Sequence, residues 1–188
     1  MNSAILVMAA GFGRRFRQSG TGNKLLAMLN GKPVLQHTLE NARATGRPVF
    51  VVSQPSDEAV HRLTESGSLI VCSSQGLGES LAAGIQACSD YDGWVITLGD
   101  MPWLQTTSYL AVIHALETSP LVRPVINGQP GHPVGFQRQF YAELSSLSGD
   151  TGAKTVLQNS LTHFIELQDQ GCLLDVDYPA ALYGKETA

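Results

Sequence analysis

Residues 4–24 read AILVMAAGFGRRFRQSGTGNK, and the chain is best read outward from them. The stretch opens on an apolar run, Ala4–Ala9, that gives way to Gly11 and Gly13. An apolar run of this length bounded by glycine is the pattern of a strand buried on both faces. Arg14, Arg15 and Arg17 follow, then Lys24. A glycine-bearing turn after a first strand suits phosphate when it carries positive charge alone, because backbone amides and side-chain cations converge on one anion. The charge is segregated along the chain. Residues 1–39 carry +5, with no Asp or Glu before Glu40, which leaves −9 on the remainder and −4 overall. The competing reading of such a run is a solvated basic surface.

Length and composition narrow the field. A chain of 188 residues with 43% hydrophobic and 15% charged residues is globular and long enough for a sizeable core. We expect one domain over residues 1–188, with 1–120 binding nucleotide and 121–170 facing the acceptor on the same sheet. A pI near 5.7 argues against nucleic-acid binding, and the local basic turn points to a small anionic ligand instead. Cys72, Cys88 and Cys172 stand far apart without a CxxC spacing, which predicts reduced thiols in a cytoplasmic protein. Cys72 and Cys172 lie in apolar runs and are expected in the core. The first apolar run is too short to span a membrane and no positive region precedes it, so no membrane partner is expected.

Strand and helix patterns alternate. After the first strand, Asn30-Gly31 marks a turn and Pro33 opens a helix carrying Val34, Leu35, Thr38, Leu39 and Ala42 on one face. Strands are expected at 48–53, 69–72 and 94–98, with helices over 57–66, from 81 to 88 and around 109–116. Further on, 121–126 reads as a strand, Asn127-Gly128 as a hairpin turn and 131–136 as the return strand. Phe140–Leu147 reads as a short helix, and strands are expected at 163–167 and 172–176. This alternation predicts an α/β fold: a single-domain, Rossmann-like three-layer sandwich with a mostly parallel sheet and a hairpin-containing insertion facing substrate. In such sheets ligands bind beyond the carboxyl ends of the strands. The turns 10–24, 73–80 and 99–102 all fall at such ends, so they should share one rim.

Two phosphate motifs fail on particular residues. A Walker loop needs Gly-Lys before Ser or Thr, but Pro33 follows Gly31-Lys32 and Glu186 follows Gly184-Lys185. A dinucleotide fingerprint needs a third glycine where Phe16 stands, and an acid where the second strand ends in Val52-Ser53-Gln54. What remains, a strand followed by Ala9-Ala10-Gly11-x-Gly13-x-Arg15 and, after eight residues, Lys24, resembles the nucleotidylyltransferase signature. The loop before Lys24 is longer than in that signature, and Arg17 replaces a glycine. The resemblance implies nucleoside-triphosphate binding by Ala9, Ala10, Gly11, Gly13, Arg14, Arg15 and Lys24, with Arg15 and Lys24 neutralising phosphates.

Gly99-Asp100-Met101-Pro102 places a carboxylate at the end of a buried strand, where Asp can hold Mg²⁺ against phosphate oxygens or simply cap the next helix. Asp177, in Asp175-x-Asp177-x-Pro179, offers a second metal ligand or an N-cap for a terminal helix. Taken with Gly131-His132-Pro133-Val134, then 148–154 (SGDTGAK) and Asp175-Val176-Asp177-Tyr178-Pro179, these motifs resemble the molybdenum cofactor cytidylyltransferase family over nearly the whole chain. The resemblance implies CMP transfer from CTP to the terminal phosphate of molybdenum-bound molybdopterin, with pyrophosphate released and Mg²⁺ as cofactor. It implies Arg15, Lys24 and Asp100 as catalytic residues, and Asp100 with Asp177 as metal ligands. It sets Gly76 and Ser80 near the base, and Gly131, His132, Pro133, Asp150 and Lys154 near the acceptor. Asp150 has a second reading as a helix cap. GTP-using relatives tend to carry Asn where Asp175 and Asp177 stand, which favours CTP. Three alternatives stay open: a GTP-using molybdopterin guanylyltransferase, a sugar-phosphate nucleotidyltransferase, and a non-catalytic module that delivers finished cofactor to a molybdenum hydroxylase.

Overall fold

The structure is a computed structural model that describes residues 1–11 and 22–183. Its centre is β1 (Ser3–Met8), in which all six residues are buried. β1 pairs in parallel with β4 (Val49–Ser53) on one side and with β6 (Gly93–Leu98) on the other. Beyond β4 lies the parallel edge strand β5 (Leu69–Val71). Beyond β6 the sheet continues through β9 (Val134–Gln137), β7 (Leu121–Ile126) and β10 (His163–Glu166), giving the order β10-β7-β9-β6-β1-β4-β5. β9 runs antiparallel to both its neighbours, while β10 and β7 are parallel. A two-residue strand β8 (Gln129–Pro130) pairs with β7 across the Asn127-Gly128 turn, where both residues have positive φ. β2 (Met28–Leu29) and β3 (Lys32–Pro33) form a separate small hairpin around Asn30-Gly31. The mainly parallel sheet with alternating helices is the fold class expected from the sequence, and segment 121–170 adds its strands to that same sheet.

Alternation along β1 builds a core on each face. Ile5 and Val7 pack with Val51, Val95, Leu35, Leu39 and Val112 on one side. Leu6 and Met8 pack with Val52, Leu81, Ile85, Ile96 and Phe136 on the other. The first side is covered by α1 (Val34–Arg43) and α4 (Thr106–Ala115), the second by α3 (Leu77–Ala87) and α5 (Tyr141–Ser145). Complete burial of a Leu or Ile side chain stabilises by about 1.5–3 kcal/mol, so Leu6 and Ile85 each contribute on that scale. α3 lies close to the sheet because Gly84 has no side chain: a Cβ there would sit 2.9 Å from Val52 Cγ2. The remaining helices, α2 (Glu58–Leu63) and α6 (Lys154–Asn159), are short.

Some boundaries and one element differ from expectation. The helix expected over 57–66 covers only Glu58–Leu63. The return strand expected from Gly131 begins at Val134, after a cis His132–Pro133 peptide. The strand expected at 172–176 is absent: a 3-10 turn (Gln170–Cys172) leads into irregular chain. Asp169 causes this, because its carboxylate accepts hydrogen bonds from the backbone N–H of Gly171 (2.9 Å) and Gln105 (2.9 Å) and from the Ser108 hydroxyl (2.7 Å). Gly171 is pressed so close to the Trp103 carbonyl that a Cβ would lie 2.1 Å from the oxygen. Chain held by such contacts has no free row of donors for a ladder. All three cysteines are free thiols, but Cys88 joins Cys172 in the core while Cys72 is only partly buried. Burial raises the pKa of Cys88 and Cys172 to about 11. No helix among the described residues is long and apolar enough to cross a membrane.

Candidate active site

The site begins where β1 and β6 end. The Gly99 N–H donates to Met8 O (2.9 Å) and the Thr38 hydroxyl to Gly99 O (3.0 Å), which fixes the peptide before Asp100. Irregular chain after Asp169 then crosses this end of the sheet, and the Val176 N–H donates to Asp100 O (2.9 Å). That bond brings Asp175 and Asp177 to Asp100. One carboxylate oxygen from each lies within 4.8 Å of the others. Asp100 is deeply placed, with its side chain 7% exposed, and Asp177 sits at the rim, 29% exposed.

Lys24 enters the same cluster. Asn23 accepts a hydrogen bond from the Leu25 N–H (3.0 Å) and starts a 3-10 turn at Lys24–Leu26. From there the Lys24 ammonium pairs with Asp100 Oδ2 and lies 3.7 Å from Asp177 Oδ1. Asp100 Oδ1 is buried without a hydrogen-bond partner among the described residues. Burial pushes the Asp175 carboxyl above the usual range, the charges of Asp100 and Asp177 push it further, and Lys24 opposes them. Three carboxylates around one ammonium leave an excess of negative charge, and a buried orphaned oxygen leaves a coordination position. This donor set fits a hard divalent cation, which takes oxygen ligands.

A second tie joins two of the rim turns. The Gln54 amide donates to Ala10 O (3.2 Å), Ser74 O (2.8 Å) and Ser74 Oγ (3.0 Å), and its oxygen accepts from the Ser74 N–H (3.3 Å). The position that would carry an acid in a dinucleotide fold thus holds a buried amide that locks the first turn against the second. The sequence reading missed this role; a polar residue ending an apolar strand was its only signal.

The other expected site residues divide. Gly13, Arg14 and Arg15 lie outside the described residues. Ala9 and Gly11 line a cavity of about 170 Å³ together with Lys24 and Asp100. Gly76 and Ser80 have work inside the fold. A Cβ on Gly76 would lie 2.4 Å from Gly149 O, and the Ser80 hydroxyl turns back onto Gly76 O (3.3 Å) and Leu77 O (3.1 Å). Asp150 does not cap the helix that follows it. Its Oδ1 accepts the Leu77 N–H (3.4 Å) at the start of α3, and Gly149 O accepts the Gly78 N–H (2.8 Å). Gly131 packs on Cys172, whose carbonyl accepts the His132 N–H (2.8 Å).

His132 and Lys154 line a larger cavity of about 510 Å³ with an apolar wall that includes Leu81, Ile96, Val134 and Phe136. The two cavities share Met8, Leu77 and Leu98 as lining residues and so lie side by side. Burial lowers the His132 pKa to about 4, with the Arg123 charge acting in the same direction and the Ile96 backbone weakly against it. His132 is therefore a neutral imidazole at pH 7. Arg123 also faces this cavity, and the sequence reading passed over it. Its signal was a lone charge in the otherwise apolar strand LVRPVI.

The family described as MobA-like NTP transferase domain matches residues 5–165. Molybdenum cofactor cytidylyltransferase of Escherichia coli K12 is 24% identical over 179 residues, 93% of this chain and 90% of that protein. The bifunctional protein GlmU of Xanthomonas euvesicatoria is 27% identical over 139 residues, 71% of this chain. The chain spans only 29% of that protein's length. A crystal structure of Rv0371C from Mycobacterium tuberculosis H37Rv in complex with manganese has a TM-score of 0.81, at 23% identity over 97% of this chain and 96% of that one.

Proposed function

The chain belongs to the MobA-like NTP transferase domain family, and we propose that within it the protein transfers CMP from CTP to the terminal phosphate of molybdenum-bound molybdopterin. The products would be molybdopterin cytosine dinucleotide and pyrophosphate. The observation that carries the reading is a pair of neighbouring cavities: one beside the carboxylate cluster, the other larger and mostly apolar. Two features support this acceptor over others in the family. The relative that bears this activity in its name matches nearly end to end, and the GHPV and GDTGAK segments border the larger cavity through His132, Val134, Thr151, Ala153 and Lys154.

Asp100 and Asp177, with Asp175 beside them, would hold Mg²⁺. A bound divalent cation would screen the triphosphate and stabilise charge on the leaving pyrophosphate. The chain's own residues do the rest by position and charge. Lys24 reaches the cluster on a short, capped turn and can pass from Asp100 to a phosphate when nucleotide arrives. Arg15 in the basic turn would meet the β- and γ-phosphates, with Arg14 a weaker candidate. Gln54 holds the Ala10 carbonyl and so sets the start of that turn. The acceptor phosphate is already an anionic nucleophile, so no general base is assigned, and catalysis rests on alignment and charge neutralisation.

The test is turnover. Protein, Mg²⁺ and molybdopterin are incubated with labelled CTP, GTP, ATP or UTP, and pyrophosphate is measured. Release with CTP alone is expected. Release with GTP alone would replace cytidylyl by guanylyl transfer. No release with any nucleotide, alongside tight cofactor binding, would favour a delivery module serving a molybdenum hydroxylase.

A further inference from the structure

Asp169 is a buried carboxylate, 9% exposed, that the transfer described above does not use. Its Oδ2 accepts the Gln105 N–H (2.9 Å) and the Ser108 hydroxyl (2.7 Å), and its Oδ1 accepts the Gly171 N–H (2.9 Å). The Cys172 thiol adds a weak contact to Oδ2 at 3.8 Å. Gln105 is the N-cap of α4 and supplies no side-chain cap of its own, and Ser108 lies in the first turn. Asp169 therefore caps α4 from a distant part of the chain, with its charge at the favourable end of the helix dipole. Gln105 stands five residues past Asp100, and Gly171 four residues before Asp175. One carboxylate thus grips both stretches that carry the acidic cluster. The grip accounts for the close approach of Gly171 to the Trp103 carbonyl, where a Cβ would lie 2.1 Å from the oxygen. Past the turn, Cys172 and Val176 are buried, and Val176 donates to Asp100 O. Apolar packing sets how deep those residues sit. The directional bonds of Asp169 set where along Trp103–Gln105 the segment docks.

Resting on the cation reading above, we propose that Asp169 is a positioning residue for that cation site. It does not touch the ion. It holds the backbone of Asp100 and that of Asp175 and Asp177 at a fixed offset, so that their carboxylates meet. Mg²⁺ accepts oxygen ligands only at about 2.0–2.1 Å in near-octahedral geometry, and a site works when its ligands are held to within about 0.5 Å. A slip of the crossing segment against α4 would spoil that arrangement while leaving all three carboxylates present. Asparagine at position 169 keeps the shape but turns an NH₂ group towards donors and removes the charge that strengthens each bond.

The test is Mn²⁺ binding without nucleotide, followed by the electron paramagnetic resonance of the free ion. Wild-type protein is expected to bind Mn²⁺, and Asp100→Asn to abolish binding, which places the measured ion in the cluster. Asp169→Asn should weaken binding at least tenfold, the scale of losing a group that orients metal ligands. Ser108→Ala keeps the carboxylate and removes one donor. It should weaken binding twofold or more, and it supplies the readout should the asparagine variant not fold. Leu116→Ala, at the buried far end of α4, destabilises the helix without touching these bonds and should stay within twofold of wild type. Unchanged Mn²⁺ affinity in either folded clamp variant overturns the positioning role and leaves the cation site standing. A loss in Leu116→Ala equal to that in Asp169→Asn also overturns it, since general loosening would then explain both. No binding by wild type at millimolar Mn²⁺, or binding that survives Asp100→Asn, sinks the cation reading and the positioning role with it.

Discussion

Replacing Lys24 by Met removes the only cation described in the carboxylate cluster while keeping an unbranched stem of similar length. In metal-free buffer the wild-type cluster consists of Asp100, Asp175 and Asp177 against the Lys24 ammonium. Two charges 4 Å apart attract by about 4 kcal/mol at an effective dielectric of 20. Stranding a buried partner costs about 3–5 kcal/mol. The lower end applies, because Asp177 is 29% exposed and water reaches the rim. A loss of about 3 kcal/mol in a chain of this size lowers Tm by about 6–12 °C. Scanning calorimetry in EDTA measures it. Mn²⁺ or Mg²⁺ at about 100 times its Kd should then return about 2.7 kcal/mol, close to the whole loss. The wild-type protein should gain less, since there the ion competes with Lys24 for Asp100. A sodium control at matched ionic strength separates coordination from screening. If the variant is as stable as wild type in EDTA, or if the divalent ion raises both proteins equally, then Lys24 does not hold the place of a cation and the metal assignment fails.

Further outcomes follow from other parts of the molecule. Asp100→Asn should cut turnover by roughly a hundredfold or more while leaving the circular dichroism spectrum unchanged, because it removes a carboxylate that would hold the divalent cation and little packing; persisting activity would sink the metal role of Asp100. Leu6→Ala, in the central strand, should cost about 2–5 kcal/mol in chemical denaturation. Gly78→Ala should cost about 1–3 kcal/mol, since its Cβ would sit 2.6 Å from Ser148 O and push the 148–150 turn off the start of α3. His132 contributes a pH dependence of known sign. Its folded pKa of about 4 lies below the unfolded value of about 6.5, so the unfolded chain binds more protons between them, and stability falls as pH drops through that window. His132→Gln should flatten the slope of Tm against pH between about 6.5 and 4, measured at several pH values in one buffer series.

Much of this molecule is legible in its order of residues. The continuous apolar run of β1, short and bounded by glycine, reads as a strand buried on both faces, and the alternation of such runs with amphipathic helices leaves few sheet arrangements. Asn30-Gly31 and Asn127-Gly128 announce their turns because positive φ favours those residues. Asp100 was found because it follows a buried strand directly. Side-chain direction and long-range backbone approach were not legible. Gly76 and Ser80 look alike whether they read a base or let chains pack, and here Gly149 and the helix's own carbonyls meet them. Asp150 looked like a cap for the helix that follows and instead serves α3, seventy-three residues earlier.

What the sequence determined by itself is the set of local patterns: the buried strands, the helix faces, the basic turn and the acid at the end of β6. These depend on periodicity and on neighbours in the chain. What only the tertiary structure decided is company. It set Lys24 among the carboxylates, drew Asp175 and Asp177 to Asp100 through one Val176 hydrogen bond in place of a strand, set the two cavities side by side at Met8, Leu77 and Leu98, and left one edge of Arg123 without a partner among the described residues. The physical reason is that charge pairing and desolvation act between groups a few ångströms apart in space, whatever their separation in sequence.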